Sequence, residues 1–358
     1  MKIHRIINQK YLVLTSLFLV FLSSAAFGQE VLNWKEVQNG IWHTTIGKRQ
    51  KITLLKAADT SPNEKGLNTL SRVDFPLDKA KINAKVIKGK TYLRFPLHKE
   101  EELFGLGLNF KTHNQRGRIL NLHVDHYGKS DNGRTHAPVP FYISTEGYGV
   151  LIDAANYITV YAGTGIRIDA DDKPVLRNRN SNPEWEAQPY SDAVEILVPA
   201  DGTEVYVFGG RSMLEVVQRY NLFSGGGYLP PKWGLGFTQR VLTLYSAKDI
   251  LKEVSEFEDH DFPLNFIGVE PGWQTMSYPC TFEWEKTRFP EPKKFIDELL
   301  DKGIRANLWL NPYVSPVGGL YKKVKPFSGS HTVWNGIVPD LTLEETRALF
   351  KEHFYKTI

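Results

Sequence analysis

The stretch from Phe262 to Pro316 constrains the fold more tightly than any other part of this 358-residue chain. A short apolar strand, Asn265 to Val269, leads into Glu270, Pro271, Gly272 and Trp273. A loop follows, containing Phe282-Glu-Trp-Glu and Arg288-Phe-Pro-Glu-Pro, then an amphipathic segment that stops at Gly303. A further strand, Ala306 to Leu310, empties into Asn311, Pro312 and Tyr313. Strand, loop, helix, glycine, strand is the pattern of a parallel α/β unit. In such units the carboxyl ends of the strands carry the chemistry. Here those ends hold a carboxylate, an amide and two tryptophans, a set that would line a sugar site.

Strand and helix alternate on both sides of this stretch. Trp233 to Gln239 reads as a first strand, and Ser246-Ala-Lys-Asp249 caps a helix with Ile250, Val254 and Phe257 on its apolar face. Pro292 suits the first turn of the next helix, Phe295 and Leu299 share its buried side, and Gly303 supplies a left-handed stop. Thr342-Leu-Glu-Glu345 is expected to cap a last helix with Leu343, Phe350 and Phe354 inward. Three such units fall short of the eight, and the roughly 250 residues, of a closed (β/α)8 barrel. The expectation is therefore the first part of a TIM barrel, truncated after about three βα units, at 226–358.

Upstream the pattern is different. Short apolar runs at 52–55, 91–95, 149–153, 158–161, 193–198 and 205–208 are separated by clusters of Gly, Asn, Asp and Pro, which predicts a β-sandwich over 29–225. Ser212-Met-Leu-Glu215 is a capping-box signature, with Leu214, Val217 and Tyr220 following at helical spacing. Ser224-Gly-Gly-Gly227 and the pair Pro230-Pro231 then mark the domain boundary.

Residues 1–28 read as a cleaved signal peptide. A basic start (Lys2, Arg5, Lys10) precedes an apolar run from Tyr11 to Phe21, and Ala26 and Gly28 fit a cleavage site before Gln29. The run is shorter than the ~20 residues of a spanning helix. A secreted or periplasmic location follows, with no membrane association after cleavage. The formal charge is +4, and without those three leader residues the remainder is close to neutral, which argues against nucleic acid as a partner. Cys280 is the single cysteine, so no internal disulfide can form. His123 and Asp125 would share a strand face, but two groups are too few for a metal centre, and neither metal nor cofactor is expected.

Several motifs in order carry a family resemblance. Leu229-Pro-Pro-Lys-Trp-Gly-Leu-Gly-Phe237, Phe262-Pro-Leu264, Trp273, Phe282-Glu-Trp284, Arg288-Phe-Pro-Glu-Pro292 and Leu308-Trp-Leu-Asn-Pro-Tyr313 resemble glycoside hydrolase family 31, the family of α-glucosidases and α-xylosidases. Phe104-Gly-Leu-Gly107, Asp125-His-Tyr127, Pro140-Phe-Tyr-Ile-Ser144 and Gly147-Tyr-Gly-Val150 resemble the amino-terminal sandwich of the same family. The resemblance implies a retaining α-glycosidase acting on an α-linked oligosaccharide or glycoside. It also implies a nucleophilic aspartate after the fourth barrel strand and an acid/base aspartate after the sixth. Both positions lie past Ile358, so no catalytic residue is assigned, and the chain is expected to be an inactive fragment.

What the resemblance carries over is one wall of the site. Glu270 stands where the family has an aspartate that bonds sugar hydroxyls; it either does so here, from ~1.5 Å further out, or pairs with a basic neighbour. Trp273 and Trp309 either stack on a pyranose or fill the core. Asn311 either meets a hydroxyl or satisfies the loop backbone. Asp125 matches a family aspartate that reaches over the barrel mouth, or is a solvated turn residue. A non-catalytic carbohydrate-binding protein and a sugar lyase or transglycosylase on the same scaffold remain open readings.

Overall fold

The computed structural model describes residues 32–124, 134, 135, 137–164, 178, 180, 181 and 191–358. The leader and Asp125 lie outside these residues. The chain divides into two compact units, Met1–Gly227 and Tyr228–Ile358.

The first unit contains strands β1 (Lys35–Gln38), β2 (Ile41–Gly47), β3 (Asn83–Ile87), β4 (Lys90–Pro96), β5 (Leu103–Gly105), β6 (Arg118–Leu122), β7 (Phe141–Ser144), β8 (Tyr148–Asp153), β9 (Ile158–Ala162), β10 (Ala193–Val198) and β11 (Gly202–Gly209). Among the described residues they form a six-stranded sheet in the order β1-β2-β11-β8-β7-β5 and a five-stranded sheet in the order β3-β4-β10-β9-β6. Every pairing in both sheets is antiparallel. Period-2 alternation builds the core: Leu93, Phe95, Val160 and Ile196 of one sheet join Val150, Ile152, Val205 and Val207 of the other. Each such side chain contributes about 1.5–3 kcal/mol by leaving water.

β8 does not alternate; all six of its residues are buried. Its outer face is covered by the helix Met213–Phe223 and by Leu67, through a cluster of Leu67, Phe141, Leu151, Phe208, Val216 and Phe223. Ser212 caps this helix by accepting the Glu215 N–H at 3.3 Å. Its buried stripe is Val216, Arg219 and Phe223, one position round from the spacing read in the sequence, so Leu214 and Val217 face outward. Arg219 explains the rotation. Its guanidinium donates to the carbonyls of Asn39, Ser71 and Gly209, and a buried cation so held outweighs two exposed aliphatics.

The run 52–55 also departs from its expected strand. Leu54–Ala58 is a helix, because the Thr53 hydroxyl accepts the Lys56 N–H and starts a turn where β-branching suggested extension.

The second unit holds β12 (Thr238–Arg240), β13 (Phe266–Val269) and β14 (Arg305–Leu308) in one parallel sheet. Helices Ala247–Asp259 and Pro292–Asp301 make the crossovers. Ser246 and Asp249 close a reciprocal capping box on the first, and Ile250, Val254, Phe295 and Leu299 bury both against Val241, Ile267 and Val269. Gly303 has φ +75° and ends the second helix.

β12 begins five residues later than expected. Pro230 and Pro231 lead into a tight turn at Lys232–Leu235, which places Trp233 against Phe266 and under the Arg305 guanidinium. The last helix, Glu344–Thr357, starts from Leu343 rather than Thr342, whose hydroxyl bonds Asp340 instead. Before it lies an antiparallel hairpin, β15 (Ser328–Val333) and β16 (Gly336–Pro339). Its turn places Trp334 and Asn335 both at positive φ.

Candidate functional site

The parallel sheet sets three strand ends side by side. Arg240 closes β12, Glu270 follows β13, and Trp309, Leu310 and Asn311 follow β14. The Trp309 N–H donates to Val269 O at 2.9 Å, so the ladder continues one residue past β14 and holds Trp309 next to the Glu270 segment.

Glu270 is gripped from β12. Arg240 donates Nε and Nη2 to its Oε1 at 2.9 and 2.7 Å. The arginine side chain is 72% exposed and the glutamate 18%, so the pair sits at a rim with the carboxylate on the inner side. Both donors take one oxygen, and among the described residues Oε2 has no hydrogen bond. The basic neighbour is therefore present, and it occupies one of the two carboxylate oxygens.

The turn carrying Glu270 is fixed from below. Arg288 donates to Gly272 O through Nε, at 3.1 Å, and Nη2, at 2.5 Å. Glu285 orders that arginine: its carboxylate accepts from the Thr287 hydroxyl and from the Thr287 and Arg288 amides. Those bonds, the hydroxyl's first, hold the Glu285 carboxyl at about 2. Gly272 has no alternative at its position, since a β-carbon there would lie 1.8 Å from Thr243 O.

Two of the residues singled out in the sequence do not present themselves to a ligand. Trp273 is 0% exposed; it packs edge-on to Trp284 and donates Nε1 to Trp309 O at 2.7 Å. It cannot stack on a sugar, because both its ring faces lie in the core. Asn311 is 7% exposed, donates Nδ2 to Ser277 O and accepts the Tyr313 N–H through Oδ1, each at 2.9 Å. Its amide is spent on the loop. Cys280 belongs to the same scaffold: the Asn311 N–H and the Gln274 amide donate to its sulfur, and burial pushes its thiol up.

Of Trp273 and Trp309, Trp309 is the one that is not fully buried. It is half-buried, with its ring 5.0 Å from Tyr278, which in turn lies 4.9 Å from Trp334 in the β15–β16 turn. Tyr313 closes the group at 5.3 Å from Trp334. Arg240, Tyr278 and Trp334 escaped the sequence reading. Arg240 had a usable signal, as the last residue of the strand beside β13. Tyr278 and Trp334 had none, being brought together by a long loop and a hairpin turn.

The wall thus combines one oriented carboxylate with an aromatic strip, chemistry suited to hydroxyls and the apolar face of a ring. Among the described residues no group of three or more His, Cys, Asp or Glu could hold a metal ion.

Residues 227–358 match the TIM-barrel domain of glycosyl hydrolases family 31, and residues 32–160 match that family's N-terminal galactose mutarotase-like domain. The chain belongs to glycosyl hydrolase family 31. This family 31 chain is 28% identical to the α-xylosidase XylQ of Lactiplantibacillus pentosus over 63% of its length, and 24% identical to an α-xylosidase of Emericella nidulans over 66%. Each alignment spans 27% of the relative, so the chain spans about a quarter of the curated relatives it matches. A family 31 dextranase from Flavobacterium johnsoniae, solved with glucose, shares the fold at TM-score 0.66 and 17% identity. That match covers 92% of this chain and 46% of the dextranase.

Proposed function

We propose that this chain supplies the sandwich and the sugar-recognising wall of an exported retaining α-glycosidase acting on α-xylosidic or α-glucosidic linkages. The observation that carries the reading is the Arg240–Glu270 pair at adjacent strand ends, beside Trp309. Arg240 fixes one carboxylate oxygen and leaves the other, which would accept from a sugar hydroxyl. Such a charge-assisted bond contributes about 1.5–3 kcal/mol. Trp309 would take the apolar face of the same ring. Membership of family 31 supports a glycosidic bond as the one concerned.

Retention requires two carboxyl groups about 5–5.5 Å apart, one attacking the anomeric carbon and one passing a proton to the leaving oxygen. Glu270, bound to Arg240, is suited to neither role. It favours positive charge growing at the anomeric carbon and orients the ring. The attacking and protonating groups belong to strand ends other than the three described, so this chain alone is proposed to bind without cleaving.

The test is to express residues 29–358 and supply aryl α-xylosides and α-glucosides. Saturable binding with no aryl release is the expected result. Turnover by the purified chain that vanishes in Glu270→Gln would overturn the non-cleaving part of the reading.

A further inference from the structure

The first unit has a cavity that the strand-end wall does not use. It lies on the outer face of the six-stranded sheet, has a volume of about 470 Å³, and is lined by His43, Arg49, Lys56, Asp153, Glu204 and Tyr206 among others. Its floor is one rung of the sheet. Glu204 of β11 stands directly opposite Thr45 of β2 on one side and Asp153 of β8 on the other. Partners so placed point to the same face, and two carboxylates side by side repel. Glu204 and Asp153 are only 8% and 3% exposed, so water does little to relieve them.

Local partners satisfy this rung incompletely. Glu204 Oε2 bonds His43 Nε2 and accepts the Thr45 hydroxyl at 2.9 Å. Asp153 Oδ1 accepts the Leu55 N–H at 3.0 Å. Glu204 Oε1 is buried and has no hydrogen bond among the described residues; the nearest cation, Arg49 Nε, stands 3.4 Å away on a side chain that is 74% exposed. A buried acceptor held only by an exposed cation can still take a donor. On the next rung Tyr206 faces His43, ring to ring at 4.7 Å, and Phe223 supplies a further aromatic wall. Burial first, and then the Asp153 and Glu204 carboxylates, push the Tyr206 phenol up to about 12, so it stays a donor.

We infer that this cavity is a separate saccharide-binding site, taking one or two neutral pyranose units. Hydroxyl donors would meet Glu204 Oε1 and Asp153, hydroxyl acceptors would meet Arg49, Lys56 and the Tyr206 phenol, and the ring face would lie on Tyr206 or Phe223. The lining sets Asp59, Asp153 and Glu204 against Arg49 and Lys56, a mixture of acceptors and donors that matches neutral hydroxyls better than an anion. The volume suits a small ligand.

The test is calorimetric titration of the full chain with xylose, glucose, isomaltotriose and putrescine, carried out in a Glu270→Gln background that removes strand-end recognition. At least one sugar is expected to bind saturably. Glu204→Gln and Arg49→Ala should each weaken it by about tenfold, the loss of one good hydrogen bond. Arg49 also pairs with the buried Glu204 carboxylate, so the unfolding midpoint of Arg49→Ala is measured alongside, and an affinity loss with the midpoint unchanged is the expected result. Absence of any sugar binding in that background, affinity unchanged by Arg49→Ala, or binding of putrescine alone would each overturn the inference.

Discussion

Trp273 and Trp309 show how one residue type divides between scaffold and surface. Trp273 fills the space between Trp284 and the strand-end loop, so Trp273→Ala is expected to lose about 3–5 kcal/mol of stability, read by thermal or urea unfolding. Trp309→Ala removes a half-buried ring and should lower sugar affinity more than it lowers the unfolding midpoint. Asn311→Ala is expected to behave like the scaffold residue, losing about 1–3 kcal/mol with the bonds its amide makes to Ser277 O and the Tyr313 N–H. Strand ends were legible from the sequence, and with them the carboxylate of Glu270. The direction of each side chain was not, because Trp273 and Asn311 are claimed by partners 36 and 34 residues away.

Among elements, the turn after β13 depends on a second turn that holds it. Glu285 orders Arg288, and Arg288 holds Gly272 O. The Glu285 carboxyl is depressed in the folded state to about 2, below its ordinary value near 4.5. The sign follows: its stabilisation is complete above the unfolded value and is lost as pH falls through the folded one. The second unit should therefore weaken between about pH 5 and pH 2, and Glu285→Gln should flatten that slope in urea titrations at pH 6 and pH 3. Gly272→Ala should destabilise the unit at every pH, since its β-carbon meets Thr243 O.

Elements were readable where a cap and a periodic face agreed, as at Ser246, Ile250 and Val254. They were misread where a hydroxyl chose another partner, as Thr342 chose Asp340, or where a buried cation rotated the helix, as Arg219 does.

Across the whole molecule, two units carry two different solutions to the same physical problem. The sandwich buries its core between sheets and keeps a polar rung on its outer face. The α/β unit buries its core between sheet and helices and brings its polar groups to the strand ends. The order of family motifs was legible in part because some of them pack: Phe282 and Phe289 lie in cores, and Arg288 grips the Glu270 turn. The partner of Glu270 was not legible, since Arg240 lies 30 residues earlier and meets it only once the parallel sheet forms. The central claim is that this pair, beside Trp309, recognises a sugar. The most direct measurement is the dissociation constant of isomaltotriose and of an aryl α-xyloside for residues 29–358 in an Arg49→Ala background, compared with the same chain carrying Glu270→Gln. At least a tenfold weakening, ~1.4 kcal/mol, is the expected result; equal affinity for both ligands with and without the Glu270 carboxylate would contradict it.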